Sequence, residues 1–120
     1  MTRPLVVKAT CGADAPERCS QALTVAATAA VSGVPVSLWL SGEAAWLGVP
    51  GRAEQLGVAL AEPAEQLLEL VAESGSVTVC SQCAARRGIG VADLLPGTRI
   101  AGAAAFVAEA TAEGAQVLVY

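Results

Sequence analysis

Strand-like and helix-like segments alternate along the whole chain, and this alternation limits the possible folds more than any other feature. Five β-rich apolar runs occupy residues 5–10, 34–40, 76–80, 97–102 and 115–120. Helical patterns fill residues 14–33, 63–75, 81–88 and 103–114, and residues 41–51 form a short helix or structured loop. Strands that alternate with helices indicate a parallel sheet covered on both faces. We therefore expect an α/β fold with a five-stranded, mainly parallel sheet.

Local signals mark where the helices begin and end. Asp14 is a candidate N-cap with Glu17 three residues later, as in a capping box, and Pro16 suits a first helical turn. Gly33 is a typical helix stop, and Ser41 is a possible cap for the segment after the second strand. A chain of 120 residues without a repeat or a linker fits one domain, which we place at residues 1–120.

Composition predicts where the protein works and how it assembles. The chain is 54% hydrophobic and only 15% charged, whereas soluble domains have roughly 25% charged residues. Each apolar run is shorter than the ~20 residues that span a bilayer, and the N-terminus lacks the apolar core of a signal peptide. We therefore expect a cytoplasmic protein that does not enter a membrane. The low charge predicts that copies of the chain cover part of its surface in a homo-oligomer.

The residue types exclude several classes of function. The net charge is −4 and the one adjacent basic pair is Arg86-Arg87, so we expect no nucleic-acid binding. The chain has no histidine, which rules out Ser-His-Asp and Cys-His catalysis and histidine-ligated zinc. The loop Thr10-Cys-Gly-Ala-Asp has one glycine and no lysine, so it is not a phosphate loop. We expect no bound cofactor.

The strongest chemical signal is Cys80-Ser-Gln-Cys83, because this motif joins the end of a strand to the start of a helix. Free N–H groups and the helix dipole favour a thiolate at Cys80, and the thiolate is the reactive form of cysteine. Cys83 lies one helical turn later, and Arg86 or Arg87 is expected to add positive potential. We take Cys80 as the candidate nucleophile, Cys83 as a resolving or auxiliary thiol, and the two arginines as binding candidates.

Other strand ends supply further binding candidates, because ligands of open parallel sheets bind at the carboxyl ends of the strands. Cys11 and Gly12 follow the first strand, and Ser41 follows the second. Cys11 either faces the site or is buried, whereas Cys19 on an alanine-rich helix is expected in the core. A zinc site of four cysteines fits poorly, because a helix start separates Cys11 from Cys19. We therefore expect no metal.

Motifs along nearly the full length form a specific combination. They are Asp-x-Pro-Glu-Arg at 14–18, Ser-Gly-Glu-Ala at 41–44, Gly-Val-Pro-Gly at 48–51, Val-Cys-x-x-Cys at 79–83, Arg-Gly-Ile at 87–89, Ile-Ala-Gly at 100–102 and Val-Leu-Val-Tyr at 117–120. In this combination the sequence resembles the DsrE/DsrF-like family, which includes sulfur-relay subunits and small stand-alone proteins. The resemblance implies a three-layer α/β/α domain that assembles as trimers or hexamers.

The resemblance also implies a role for the two cysteines of the motif. Cys80 matches the cysteine that accepts sulfane sulfur as a persulfide, with sulfur donor and acceptor proteins as partners, and Cys83 matches the second cysteine of stand-alone members. Three hypotheses follow. The chain is a sulfur carrier that uses Cys80, a thiol–disulfide redox or peroxidase-like protein that uses Cys80 and Cys83, or a non-catalytic oligomeric binding protein with buried cysteines. A carrier needs a stable persulfide, whereas a redox protein needs a disulfide that cycles.

Overall fold

The computed structural model describes residues 3–120, and every strand and helix that the sequence predicts is present. The strands are β1 Leu5–Ala9, β2 Val36–Leu40, β3 Ser76–Cys80, β4 Arg99–Ala101 and β5 Gln116–Val119. The α-helices are α1 Pro16–Val31, α2 Ala64–Ser74, α3 Ser81–Arg86 and α4 Ala103–Ala110, and short 3-10 helices span Gly42–Gly48, Ala53–Gln55 and Val91–Asp93. Within residues 3–120, no helix is both long and apolar enough to cross a bilayer.

The five strands form one sheet in the order β4-β3-β2-β1-β5, and every neighbouring pair is parallel. The sheet is therefore fully parallel, where the sequence predicted a mainly parallel one. At its centre, Leu38 of β2 lies beside Val7 of β1 and Val77 of β3. Because all strands share a direction, the residues that follow them lie along one side of the sheet, which we call the carboxyl edge.

Helices cover both faces of the sheet, which confirms the three-layer α/β/α prediction. α1 and α2 pack against each other and against one face, where Val7, Leu38 and Val79 are fully buried. α4 lies on the other face, where Phe106 packs edge-to-face on Trp39 with ring centroids 5.4 Å apart. We call the two sides the α1/α2 face and the α4 face. Side chains alternate along each strand, so every strand contributes to both.

Two capping predictions are wrong. α1 begins at Pro16, and within the described residues no side chain caps it. Asp14 Oδ1 instead accepts a 2.8 Å hydrogen bond from the Gly12 N–H and closes the loop after β1. Ser41 precedes the 3-10 helix Gly42–Gly48, but its hydroxyl makes no capping hydrogen bond to any described residue. Asp14 and Ser41 therefore belong to the loops of the carboxyl edge and do not stabilise helix starts.

A polar network fastens α4 to the sheet. The Glu109 carboxylate accepts hydrogen bonds from the Ser37 hydroxyl and, at 3.1 Å, from Trp39 Nε1. Arg99 Nη2 lies 2.8 Å from Glu109 Oε2, and Arg99 Nε donates to Thr78 Oγ1 at 2.7 Å. Burial alone raises the pKa of Glu109, but these hydrogen bonds and the Arg99 charge outweigh it. The pKa of Glu109 is therefore lowered from its ordinary value, and the network stabilises the folded state.

We expect Glu109→Gln to lower the free energy of unfolding by about 1–3 kcal/mol at neutral pH, because it removes a charged acceptor from this network. Because the pKa of Glu109 is lowered in the folded state, its ionised carboxylate stabilises the fold at pH values above its ordinary pKa of 4.5. This contribution is lost as the pH falls through the folded-state pKa. Urea unfolding at several pH values measures both effects. The exposed Glu113 supplies the control variant Glu113→Gln. A Glu109→Gln penalty that stays constant at acid pH contradicts this account.

Candidate functional site

Cys80 ends β3 and directly precedes α3, so it lies at the carboxyl edge. Thr78, two residues earlier, lies on the α4 face, because its hydroxyl accepts a hydrogen bond from Arg99, which pairs with Glu109 of α4. The alternation of side chains along the strand places Cys80 on the same α4 face. Cys80 is half-buried, in contrast to the fully buried Val79 before it, and all four cysteines of the chain are free thiols. Cys80 is therefore a partly accessible thiol at the edge where parallel sheets bind ligands.

Several neighbouring groups act on the Cys80 thiol. Burial raises its pKa, but the N–H groups of Cys83 and Gln82, the Cys83 side chain and the Lys8 charge together outweigh burial. The pKa of Cys80 is therefore below the ordinary value of 9.0, as the sequence predicted. The Cys80 side chain does not cap α3, since it makes no capping hydrogen bond to any described residue. The N–H groups of Gln82 and Cys83 that lower the pKa belong to the first turn of α3, which is the positive end of the helix.

Cys83 lies against the loop after β2. The Gly42 N–H donates to Cys83 Sγ at 3.1 Å, and the Cys83 side chain is one of the groups that lower the pKa of Cys80. Position 42 requires glycine, because its φ is +55° and a Cβ there would lie 2.6 Å from the Thr10 carbonyl oxygen. The close approach of the loops after β1 and β2 therefore sets the position of the second thiol.

Arg87 holds α3 in place and does not supply the positive potential at Cys80. Its Nε and Nη2 lie 2.9 and 2.8 Å from Glu43 Oε2, and its Nη1 donates to the Cys83 carbonyl oxygen at 3.1 Å. Arg86 is exposed in the last turn of α3. The prediction that these arginines act on the thiolate is wrong, because the cation that lowers the Cys80 pKa is Lys8.

Lys8 is a site residue that sequence reasoning missed. It lies on β1 with its Nζ 4.7 Å from the centroid of the Phe106 ring, which places it on the α4 face. Its ammonium group lowers the pKa of Cys80 from two strands away. A signal was present in the sequence, because a lysine in an otherwise apolar strand is rarely buried without a partner.

Cys11 and Cys19 are buried, so the structure supports the buried alternative for Cys11. Burial raises the pKa of Cys11 against the opposing effect of Arg18, and burial raises the pKa of Cys19 to about 12. Gly12 lies where this loop meets the next one, since a Cβ there would lie 2.6 Å from the Glu43 carbonyl oxygen. Across residues 3–120, no three metal-ligating side chains are grouped to hold an ion. Cys11 and Cys19 therefore act as core residues.

Ser41 lies beside Cys80 across the sheet. Leu40 pairs with Val79, and the chain stays extended at the next residue of both strands, so Ser41 and Cys80 continue the same register. The Ser41 N–H also donates to the Ala9 carbonyl oxygen at 2.9 Å, which holds Ser41 in the sheet. The Ser41 hydroxyl is buried and has no hydrogen-bond partner among residues 3–120. Ser41 therefore brings an unpaired polar group to the row that contains Cys80.

The sequence of residues 5–120 matches the model of the DsrE/DsrF-like family. The chain belongs to this family. The match confirms the resemblance read from the motifs, and it spans both cysteines of the Cys80-x-x-Cys83 pair. No curated protein matches the sequence, so the assignment rests on the family match.

Solved structures agree with a DsrE/DsrF-like fold. The ychN protein from E. coli superposes with a TM-score of 0.80 at 20% identity, and the alignment covers 100% of both chains. MTH1491 from Methanobacterium thermoautotrophicum, a protein of unknown function, gives a TM-score of 0.65 at 12% identity over 100% of both chains. BT1422 from Bacteroides thetaiotaomicron gives 0.58 at 15% identity over 98% of this chain and 95% of its own. At these sequence identities, the similarity to the solved structures shows a shared fold and nothing about activity.

We expect iodoacetamide to alkylate Cys80 faster than Cys19 at neutral pH, because the thiolate is the reacting form. Lys8→Met should slow the Cys80 reaction a few-fold and move its pH profile upward, because it removes the positive charge and keeps an apolar stem. Peptide mass spectrometry of timed samples gives the rate at each cysteine. Arg86→Gln is the matched control and should leave the Cys80 rate unchanged. Equal effects of the two substitutions would rule out a specific role for Lys8.

Proposed function

We propose that this DsrE/DsrF-like protein carries sulfane sulfur as a persulfide on Cys80. The observation that supports the proposal most is a half-buried thiol of lowered pKa at the carboxyl edge of the sheet. Such a thiol attacks sulfur without a general base, and the chain has no histidine to act as one. The sulfur-relay role of the family's best-known subunits agrees with this chemistry.

The proposed step conserves electrons and needs no oxidant. The Cys80 thiolate attacks the outer sulfur of a donor persulfide, R–S–SH, and a new S–S bond forms between Cys80 and that sulfur. The S–S bond of the donor breaks, and its electron pair leaves with the donor as R–S⁻. Cys80 then carries –S–SH, which loses its proton to solvent. An acceptor thiolate repeats the same attack on the outer sulfur and returns Cys80 to the thiolate, so the donor and the acceptor are thiol-bearing partners.

Thiol–disulfide chemistry is a second candidate, because both cysteines of the pair are free, half-buried thiols one helical turn apart, and the Cys83 side chain helps to lower the pKa of Cys80. In that case a peroxide, ROOH, oxidises the Cys80 thiolate to a sulfenic acid and leaves as RO⁻. The Cys83 thiol then condenses with the sulfenic acid, which releases water and forms the disulfide. A reducing thiol must regenerate both cysteines. The two candidates differ in whether Cys83 is required.

We expect Cys80→Ser to abolish sulfur uptake, because it removes the nucleophile and keeps nearly the same volume. The matched variant Cys83→Ser should still take up sulfur, because the proposed transfer needs only the Cys80 thiolate and a serine hydroxyl can still accept the hydrogen bond from the Gly42 N–H. Intact-protein mass spectrometry after exposure to inorganic polysulfide detects the added sulfur atom, and peptide analysis locates it. Circular dichroism of both variants checks that the fold is intact.

Two results would favour other functions. Loss of all activity in Cys83→Ser, together with a wild-type protein that cycles through a Cys80–Cys83 disulfide, favours redox chemistry. A Cys80 thiol that reacts only after denaturation favours a non-catalytic binding protein.

We also propose that the protein is a homo-oligomer, a trimer or a hexamer as in its family. The support is an apolar surface on the α4 face next to the edge strand β5. Val107 of α4 is 54% exposed and Val119 of β5 is 62% exposed. No residue of the fully described helix α4 is completely buried, although a three-layer fold usually buries one side of each helix. A second copy that packs on this surface would bury both valines and cover the exposed strand edge.

We expect light scattering to give a mass several times the 12.0 kDa of one chain. Val107→Glu should lower that mass toward the single chain, because it places a charge in the proposed interface. The control is Val31→Glu, since Val31 is 64% exposed at the end of α1 on the opposite face. A wild-type mass equal to one chain at micromolar concentration would end this proposal.

A further inference from the structure

The buried hydroxyl of Ser41 has no role in the fold that accounts for it. Ser41 is 7% exposed, and its Oγ has no hydrogen-bond partner among residues 3–120. Leaving a buried hydroxyl unpaired lowers stability, so such groups are rare in native proteins and often have a functional reason. Ser41 occupies the N-cap position of the 3-10 helix Gly42–Gly48, but its hydroxyl makes no capping hydrogen bond to that helix.

The register of the sheet places this hydroxyl on the same face as the Cys80 side chain and in the neighbouring strand. Trp39 contacts Phe106 and so faces α4, and Ser41, two residues later in extended chain, projects to the same side. Cys80 projects to this side from the neighbouring strand, in the register set by the Leu40–Val79 pair. Adjacent strands lie about 4.7–4.9 Å apart, which makes Ser41 and Cys80 lateral neighbours.

Among the described residues, the Ser41 hydroxyl is unpaired beside the reduced thiol, and a persulfide on Cys80 would add a second sulfur atom next to it. One added sulfur atom lengthens the Cys80 side chain by an S–S bond of about 2.05 Å. The outer sulfur carries the negative charge of the persulfide and accepts hydrogen bonds. A donor that is unpaired in the reduced state and paired in the loaded state stabilises only the loaded state.

We propose that the Ser41 hydroxyl is the hydrogen-bond donor that holds the outer sulfur of a Cys80 persulfide. This inference rests on the proposed sulfur-carrier function. It adds a residue whose hydrogen bond forms only when Cys80 carries the extra sulfur atom. The burial of Ser41 keeps water from competing for the same hydrogen bond. The site therefore retains sulfur until an acceptor thiolate reaches it.

The test compares Ser41→Ala with Ser41→Thr, which keeps a hydroxyl on an extended residue. The proteins are loaded with inorganic polysulfide, the donor is removed, and mass spectrometry follows the loss of the persulfide. We expect Ser41→Ala to shorten the persulfide lifetime about tenfold, in line with one hydrogen bond to a charged group. Ser41→Thr should keep most of the wild-type lifetime. The control Ser81→Ala removes a nearby hydroxyl that lies against Gly102 and should change nothing.

Two further measurements separate this role from a structural one. The iodoacetamide rate of reduced Cys80 should be the same in Ser41→Ala and wild type, and the thermal midpoint of Ser41→Ala should be equal or higher because an unpaired buried group is removed. A wild-type persulfide lifetime in Ser41→Ala overturns the inference, as does a parallel loss of thermal stability and of alkylation rate. If the wild-type protein takes up no sulfur at all, the proposed function itself fails. If uptake is normal and only the Ser41 effect is missing, the inference alone fails.

Discussion

The candidate site depends on the parallel register of β1, β2 and β3. That register places Lys8, Trp39 and Thr78 in one row on the α4 face, and Ser41 beside Cys80 in the next row. Side chains alternate along a strand, so a slip of β3 by one residue would turn Cys80 toward the α1/α2 face and bury it. The same pairing brings the Lys8 charge within range of the thiol. The properties of Cys80 therefore arise from the whole sheet, of which the local motif is one part.

The two faces of the sheet make different contributions. The α1/α2 face holds the continuous apolar core, in which Val7, Leu38 and Val79 are fully buried, and this core supplies most of the stability. The α4 face is more polar, since the Glu109 network and the unpaired Ser41 hydroxyl both lie there. The apolar core allows the opposite face to keep polar groups that lower stability or serve chemistry. Functional sites commonly combine these features.

The elements of the fold could be predicted from the sequence, because apolar periodicity, prolines and glycines are local signals. Cys80 could be predicted for the same reason, since a strand end followed by a helix start is read from adjacent residues. The action of Arg86 and Arg87 on the thiolate was predicted wrongly, because Arg87 pairs with Glu43, a partner that is distant in sequence. Lys8 was missed for the same reason, because its nearness to Cys80 depends on how the strands are ordered. Contacts between segments that are distant in sequence could be identified only in the structure.

The most direct measurement is the pH dependence of single-turnover sulfur uptake at Cys80, compared with that of Cys80 alkylation in the same protein. The account predicts one shared midpoint below the ordinary thiol value of 9.0, because the same thiolate carries out both reactions. Sulfur should appear on Cys80 and on no other cysteine at early times. A midpoint at or above 9.0, or sulfur that appears first on another cysteine, contradicts the account.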